Sequence, residues 1–275
     1  MADEKQAGAA NAAPASAAPL LELNGVFKRF GAVQALTDVD FAVHDGEVVA
    51  LVGDNGAGKS TLIKAISGVG PMDEGSMRFD GQDVQVGQPS DSAGLGIAVV
   101  YQDLALCDNL DVVQNLWLGR EARLAGSLAA PLDEISMEQR TRELLDSLAV
   151  RTLRSVRAEV GALSGGQRQT VAISRAMLGE PRMVILDEPT AALGVAQTAQ
   201  VLQLIRRLKE RGLGVILISH NLGDVFEVCD RIAVLRLGRN AGDFPADDAH
   251  RQTVVAAITG ADGDLQVSSE REVTA

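Results

Sequence analysis

The stretch Gly53-Asp54-Asn55-Gly56-Ala57-Gly58-Lys59-Ser60-Thr61 decides the reading of this chain, because it follows the phosphate-loop spacing Gly-x-x-x-x-Gly-Lys-[Ser/Thr]. The apolar run Val48-Val49-Ala50-Leu51-Val52 precedes it and the helix-compatible Leu62-Ile63-Lys64-Ala65-Ile66 follows. Strand, glycine loop and helix in that order curl consecutive backbone N–H groups around an anion, with the positive end of the helix aimed at the same charge. Gly53, Asn55, Gly56, Ala57, Gly58 and Thr61 belong to that cradle, Lys59 reaches the terminal phosphates, and Ser60 binds Mg²⁺.

Outward from the loop, two patterns separate. Leu21-Glu22-Leu23-Asn24-Gly25-Val26 and Val39-Asp40-Phe41-Ala42-Val43 alternate as half-buried strands do, and Met77-Arg78-Phe79 and Val84-Gln85-Val86 flank Asp80-Gly81 as a hairpin. These predict an antiparallel layer. By contrast Ile97–Val100, Met183–Leu186, Val215–Ile218 and Ile232–Leu235 are apolar throughout, which suits a parallel sheet covered on both faces. Val201, Leu204, Ile205 and Leu208 give the segment Val195–Arg211 one apolar helical face, and a shorter helix is expected over Asn221–Val228. The fold class is therefore α/β, a phosphate-loop nucleotide fold with a mostly parallel core sheet and an antiparallel β-subdomain. Residues 103–178 carry helical signals only, with Met137, Leu144 and Leu148 on one face and Leu110, Val113, Leu116 and Trp117 on another. They predict an inserted helical subdomain. The expected organisation is a loose tail over 1–19, a core over 20–102, the helical insert over 103–178, the second part of the core over 179–262 and a tail over 263–275.

Composition narrows the partners. The 275 residues are 46% hydrophobic and 23% charged, enough for a sizeable core. The net charge of −12 and an aromatic content of only 3% argue against a nucleic-acid partner, which wants a basic face and stacking platforms. Cys107 and Cys229 fall in no metal-ligand spacing and read as reduced thiols without a role. No run approaches the roughly 18 to 20 apolar residues that span a bilayer.

Two further stretches carry chemistry. Met183-Val184-Ile185-Leu186-Asp187-Glu188 is an apolar strand ending in two carboxylates, and ligands of such sheets bind at the carboxyl ends of strands. Asp187 is suited to hold Mg²⁺ through water, and Glu188 to polarise an attacking water. In Leu163-Ser164-Gly165-Gly166-Gln167-Arg168-Gln169, Ser164 is a natural helix cap and the two glycines expose N–H groups at a helix start.

Together with the loop and the Asp-Glu strand, that heptad resembles the signature motif of ATP-binding-cassette ATPases, and the resemblance extends over residues 20–260. It implies ATP and Mg²⁺ as ligands. It also implies that Gln102, after Ile97–Val100, senses Mg²⁺ and the attacking water, that His220 contacts the γ-phosphate, and that Phe30 stacks on adenine. Ser164, Gly165, Gly166 and Gln167 of one cassette are implied to close over ATP held by a second, so that the working unit is a dimer, first of all a homodimer. One position departs from the family. Where an aspartate usually follows the Asp-Glu strand, this chain has Ala191-Ala192-Leu193-Gly194.

The wording of Lys28–Leu36, Val52–Gly68 and Ser219–Leu222 through Asp230–Ile232 is similar to ATPases of bacterial monosaccharide importers of the ribose, xylose and fructose group. That likeness implies an energy-coupling subunit peripheral to the cytoplasmic face of the membrane, partnered by permease subunits and, indirectly, by a periplasmic or extracellular sugar-binding protein. It would give Leu110, Val113, Leu116 and Trp117 an interface with the permease, the alternative being packing within the subdomain. The second reading is a soluble cassette ATPase without a permease, an iron–sulfur assembly scaffold or a repair or translation factor. Against it stand the lack of a zinc-type cysteine cluster, of a second cassette and of a basic patch.

Overall fold

Side-chain alternation begins the first sheet and a bulge lengthens it. A computed structural model describes residues 18–124 and 130–261, so the expected tails lie outside the described residues except for Ala18, Pro19 and their immediate continuation. β1 (Leu21–Phe30) buries Leu21, Leu23 and Val26 and pairs antiparallel with β2 (Val33–Val43), which buries Leu36, Val39, Phe41 and Val43. Both strands run further than their alternating ends suggest. A register shift between Leu23 and Val26, at Gly25 with φ +58°, breaks the period of two and hides the continuation to Phe30.

β3 (Val48–Val52) is buried along its whole length and leads through the phosphate loop into α1 (Lys59–Ser67). β4 (Glu74–Phe79) returns to pair with β1, and β5 (Gln82–Val84) turns back across Asp80-Gly81, whose φ values of +51° and +73° are those of a two-residue hairpin turn. The antiparallel layer thus runs β2-β1-β4-β5.

After α2 (Pro89–Gly94), β6 (Ile97–Val100) enters the main sheet at its edge. The chain then leaves the sheet to form α3 (Val112–Trp117), α4 (Glu134–Ser147) and α5 (Gly165–Met177), and returns as β7 (Met183–Asp187) directly beside β6. It finishes as α6 (Val195–Glu210), β8 (Gly214–Ile218), α7 (Leu222–Val228), β9 (Arg231–Arg236), β10 (Arg239–Pro245) and α8 (Arg251–Thr259). The six-stranded order is β10-β9-β3-β8-β7-β6, parallel except for β10. Helices cover one face, whereas the other packs on α1 and the antiparallel layer rather than on helices alone as expected; with both faces covered, β3 and β8 are apolar at every position, and each Val, Leu or Ile among them contributes roughly 1.5–3 kcal/mol of burial.

The insert has its own core. Val113, Leu116 and Trp117 pack with Met137, Leu145, Val160 and Val171, and Trp117 Nε1 donates to both Met137 O at 3.1 Å and Thr141 Oγ1 at 3.0 Å. Val113 and Trp117 are therefore spent on internal packing, and the interface with a permease implied for that face has to be sought elsewhere. The insert is also not helical alone: Asp111 with Glu159 and Arg123 with Leu132 form isolated antiparallel bridges.

Candidate functional site

Four strands of the main sheet end on one rim, and each delivers one part of a cavity of about 450 Å³. From the end of β3 come Asn55 to Thr61, from β6 comes Gln102, from β7 come Asp187 and Glu188, and β8 closes the floor with Ile218. Val33, Gln34 and Ala35 of β2 form the opposite wall.

The loop is shaped by close backbone approach. A Cβ at Gly53 would lie 2.1 Å from Leu235 O, and one at Gly58 would lie 2.7 Å from Leu36 Cδ2 and 3.0 Å from Ala35 O. No side chain caps the start of α1, so its first N–H groups remain available to an anion. Lys59 Nζ donates to Gly53 O at 2.6 Å and to Asp54 O at 3.0 Å, folding the ammonium back over its own loop.

Across the cavity, Glu188 sits in the left-handed region at φ +51°, fixed by its N–H donating to Ile218 O at 2.9 Å. Such backbone costs a bulky residue about 1–2 kcal/mol and here aims a carboxylate at the cavity. His220 does not line that cavity. It reaches the site through Glu188: its Nδ1 is 2.7 Å from Glu188 Oε2, and since a carboxylate only accepts, the proton is on Nδ1. Asp187 is half-buried, and desolvation first and the Glu188 charge second raise its carboxyl above the ordinary value, with Lys59 acting the other way. A buried anion beside another anion is a place that a cation would relieve. Ser60, Gln102 and Asp187 supply neutral and charged oxygen donors there, a set that fits Mg²⁺, which takes one or two carboxylates and keeps water and phosphate as its other ligands. Among the described residues no group of three or more His, Cys, Asp or Glu side chains is placed to hold a metal by itself.

Phe30 is 53% exposed at the end of β1, where it pairs with Val33 of the cavity wall. It is no core phenylalanine, and its ring is open to a planar ligand, with the Lys28 ammonium 5.6 Å from the ring centroid. The heptad is elsewhere. Ser164 to Gln167 line none of this cavity, and Gln167 is occupied by the cap of its own helix and by the loop before it: its Oε1 accepts from Ser164 N at 2.9 Å and its Nε2 donates to Thr152 O at 2.7 Å. Gly165 and Gly166 press against α6 and the turn before it, a Cβ on Gly166 falling 2.8 Å from Gln197 Cβ. Gly194 caps α6 without a side-chain bond, and nothing stands within 4 Å of where its Cβ would be.

Another groove, of about 370 Å³, opens between the insert and the main sheet. Tyr101 and Asp103 line it, so the residues on either side of Gln102 face this groove while Gln102 faces the nucleotide cavity. Leu104, Leu116, Leu118 and Pro181 give it apolar walls, and Arg120 and Arg175 give it charge. Sequence reasoning found Gln102 but missed its neighbours and the wall Val33–Ala35, since neither belongs to a motif.

A family model described as ABC transporter matches residues 36–191. The fructose import ATP-binding protein of Rhizobium meliloti is 45% identical over 246 residues, which cover 88% of this chain and 95% of the relative. The xylose/arabinose import ATP-binding protein of Sulfolobus acidocaldarius is 47% identical over 220 residues, 80% of this chain and 86% of the relative. Among solved structures, an ATP-binding cassette of an ABC transporter in its ADP conformation is similar with a TM-score of 0.77 and 27% identity, over 89% of this chain and all of the other. A dimeric cassette in a post-hydrolysis state with ADP and phosphate is similar with a TM-score of 0.67 and 26% identity, over 82% of this chain and 99% of the other.

Proposed function

The chain belongs to the ABC transporter family, and from that premise we propose that it is the ATP-hydrolysing subunit of a monosaccharide importer. The observation that carries the reading is the single cavity that gathers Lys59, Ser60, Gln102, Asp187 and Glu188 from three separate strand ends. ATP lies with its base toward Phe30 and Val33 and its phosphates in the loop. Lys59 exchanges its two carbonyl partners for phosphate oxygens, and the N–H groups at the start of α1 take the same charge. Ser60, Asp187 and Gln102 would hold Mg²⁺, whose charge would offset that of the phosphates. Glu188 accepts a hydrogen bond from the attacking water, and His220 fixes that carboxylate through Nδ1. Ser164 to Gly166 complete the site from a second copy, consistent with their place outside this chain's own cavity and with the dimeric cassette similar to this chain.

The transport partner is a permease whose cytoplasmic helix occupies the groove flanked by Tyr101 and Asp103, from which a shift passes through one residue to Gln102. A sugar-binding protein outside the membrane completes the system. The chain would then sit on the cytoplasmic face; among the described residues no helix is long and apolar enough to cross a membrane. The test is ATP turnover by the purified chain and its recovery in membranes with a co-expressed sugar permease. Turnover abolished by Lys59→Ala and membrane recovery dependent on the permease are expected; failure to associate with any such permease would sink the transport role while leaving the ATPase.

A further inference from the structure

The two walls of the nucleotide cavity are joined by a residue that belongs to neither. β9 and β10 are connected by Leu237-Gly238, with φ values of +49° and +75°. The N–H of Gly238 donates to Ala57 O in the phosphate loop at 3.0 Å, and its carbonyl accepts from Thr37 N of β2 at 2.8 Å. One residue thus bonds the loop that takes phosphate and the strand whose Val33, Gln34 and Ala35 form the facing wall. The contact leaves no room for a side chain: a Cβ on Gly238 would stand 2.6 Å from Ala35 O, while one on Gly58 would meet the same oxygen at 3.0 Å and Gly238 Cα at 3.5 Å. Three backbones therefore meet at Ala35 O. A little further along, Asn240 repeats the attachment. Its Oδ1 accepts from Asp40 N at 2.9 Å and its Nδ2 donates to Asp40 O at 2.8 Å, so that an amide side chain serves β2 as a strand partner would.

β2 and β3, the strand that leads into the phosphate loop, lie in different sheets, and among the described residues no ladder of hydrogen bonds runs between those sheets. Beside the direct packing of Gly58 on Ala35 and Leu36, wall and loop are tied by the backbone hydrogen bonds of the β9–β10 turn. We propose that Gly238, supported by Asn240, is a positioning residue that fixes the distance between the base-binding wall and the phosphate cradle, and so acts as a ruler for a ligand with a base at one end and a polyphosphate at the other. The proposal rests on the reading that this cavity takes ATP with its base against Phe30 and Val33. A ligand that fills only the cradle does not feel the ruler.

The experiment compares ATP with inorganic tripolyphosphate, both with Mg²⁺, on the full chain and its Gly238→Ala and Asn240→Ala variants, by calorimetry. With the base displaced from its wall, Gly238→Ala weakens ATP roughly tenfold, on the scale of one lost base–aromatic stack, and leaves tripolyphosphate within about twofold. Asn240→Ala gives the same selective loss at smaller size. In hydrolysis the change falls on KM with kcat kept. Because the ratio of the two affinities is taken within one preparation, a fraction of misfolded protein does not alter it; if Gly238→Ala yields no soluble chain, the Asn240→Ala ratio decides. Equal weakening of both ligands, or no weakening of ATP, overturns the proposal. A wild-type chain that binds tripolyphosphate as tightly as ATP would instead overturn the reading of the base wall on which it rests.

Discussion

At the scale of single residues, Glu188 and Asp187 are neighbours with opposite duties. Glu188 holds a left-handed backbone and a bond to His220, which in the proposed role would direct its carboxylate at a water's proton. Glu188→Gln keeps the shape and removes the acceptor, so kcat falls by about 10²- to 10³-fold while ATP binding persists, measured as single-turnover hydrolysis against nucleotide binding. Asp187 bears a burden without ligand. Its native carboxyl holds a proton more tightly than the unfolded chain does, so the free energy of unfolding drops as pH rises from near 3.8 through the raised native value. Asp187→Asn is therefore expected to raise the melting temperature of the nucleotide-free protein at pH 7 while abolishing Mg²⁺-dependent turnover; a lower melting temperature would mean that the carboxylate already has a stabilising partner. Desolvation of the partly buried Cys229 pushes its thiol far above the usual range, which disfavours the reactive thiolate.

Among the elements, the turn between β9 and β10 stores strain. Leu237 adopts φ +49° with its side chain 78% exposed, a conformation that asparagine or glycine accepts at less cost. Leu237→Asn should stabilise the chain by about 0.5–1 kcal/mol in denaturant titration and leave the affinity for ATP unchanged, since the bonds from this turn to Ala57 and Thr37 are made by Gly238 alone. The same turn explains what was legible in the chain beforehand. The loop from Gly53 to Thr61, the strand ending in Asp187-Glu188 and the capped start of α5 are each written in consecutive residues, where local geometry and chemistry coincide. Gly238 and Ala57, or Asn240 and Asp40, meet only because two sheets pack, and no spacing along the chain records that. Bulges hid the inner halves of β1 and β2 for a related reason: one extra residue inverts the alternation by which a strand is recognised. The Leu110–Trp117 face was legible as apolar, but whether such a face meets a partner or its own subdomain depends on α4, which supplies Met137 and Thr141 to Trp117.

For the whole molecule, the decisive fact is that the signature residues stand apart from the cavity they are expected to complete. Ser164→Arg and Glu188→Gln should each be inactive alone. In a mixture, the cavity of a Ser164→Arg chain meets the intact signature of a Glu188→Gln chain, so hydrolysis returns to a measurable fraction of wild type. Mixed variants that stay as inactive as either parent would count against a site shared between copies. Glu188→Gln with ATP should also sediment as a dimer, the nucleotide holding two copies together until it is cleaved.

The packing of Gly166 on Gln197 bears on timing. Gln197 lies in the first turn of α6, and α6 follows by a short loop from Glu188. Each copy's signature therefore leans on the continuation of the strand that ends in its own Asp187-Glu188, although in the proposed dimer the ATP it serves would belong to the other copy. In the proposed dimer, an event at one γ-phosphate would reach first the lid over its neighbour's. Two sites wired in this crossed manner are suited to fire in alternation, and a methyl group added at Gly166, by wedging lid from lever, would be expected to uncouple their order before it silenced either one.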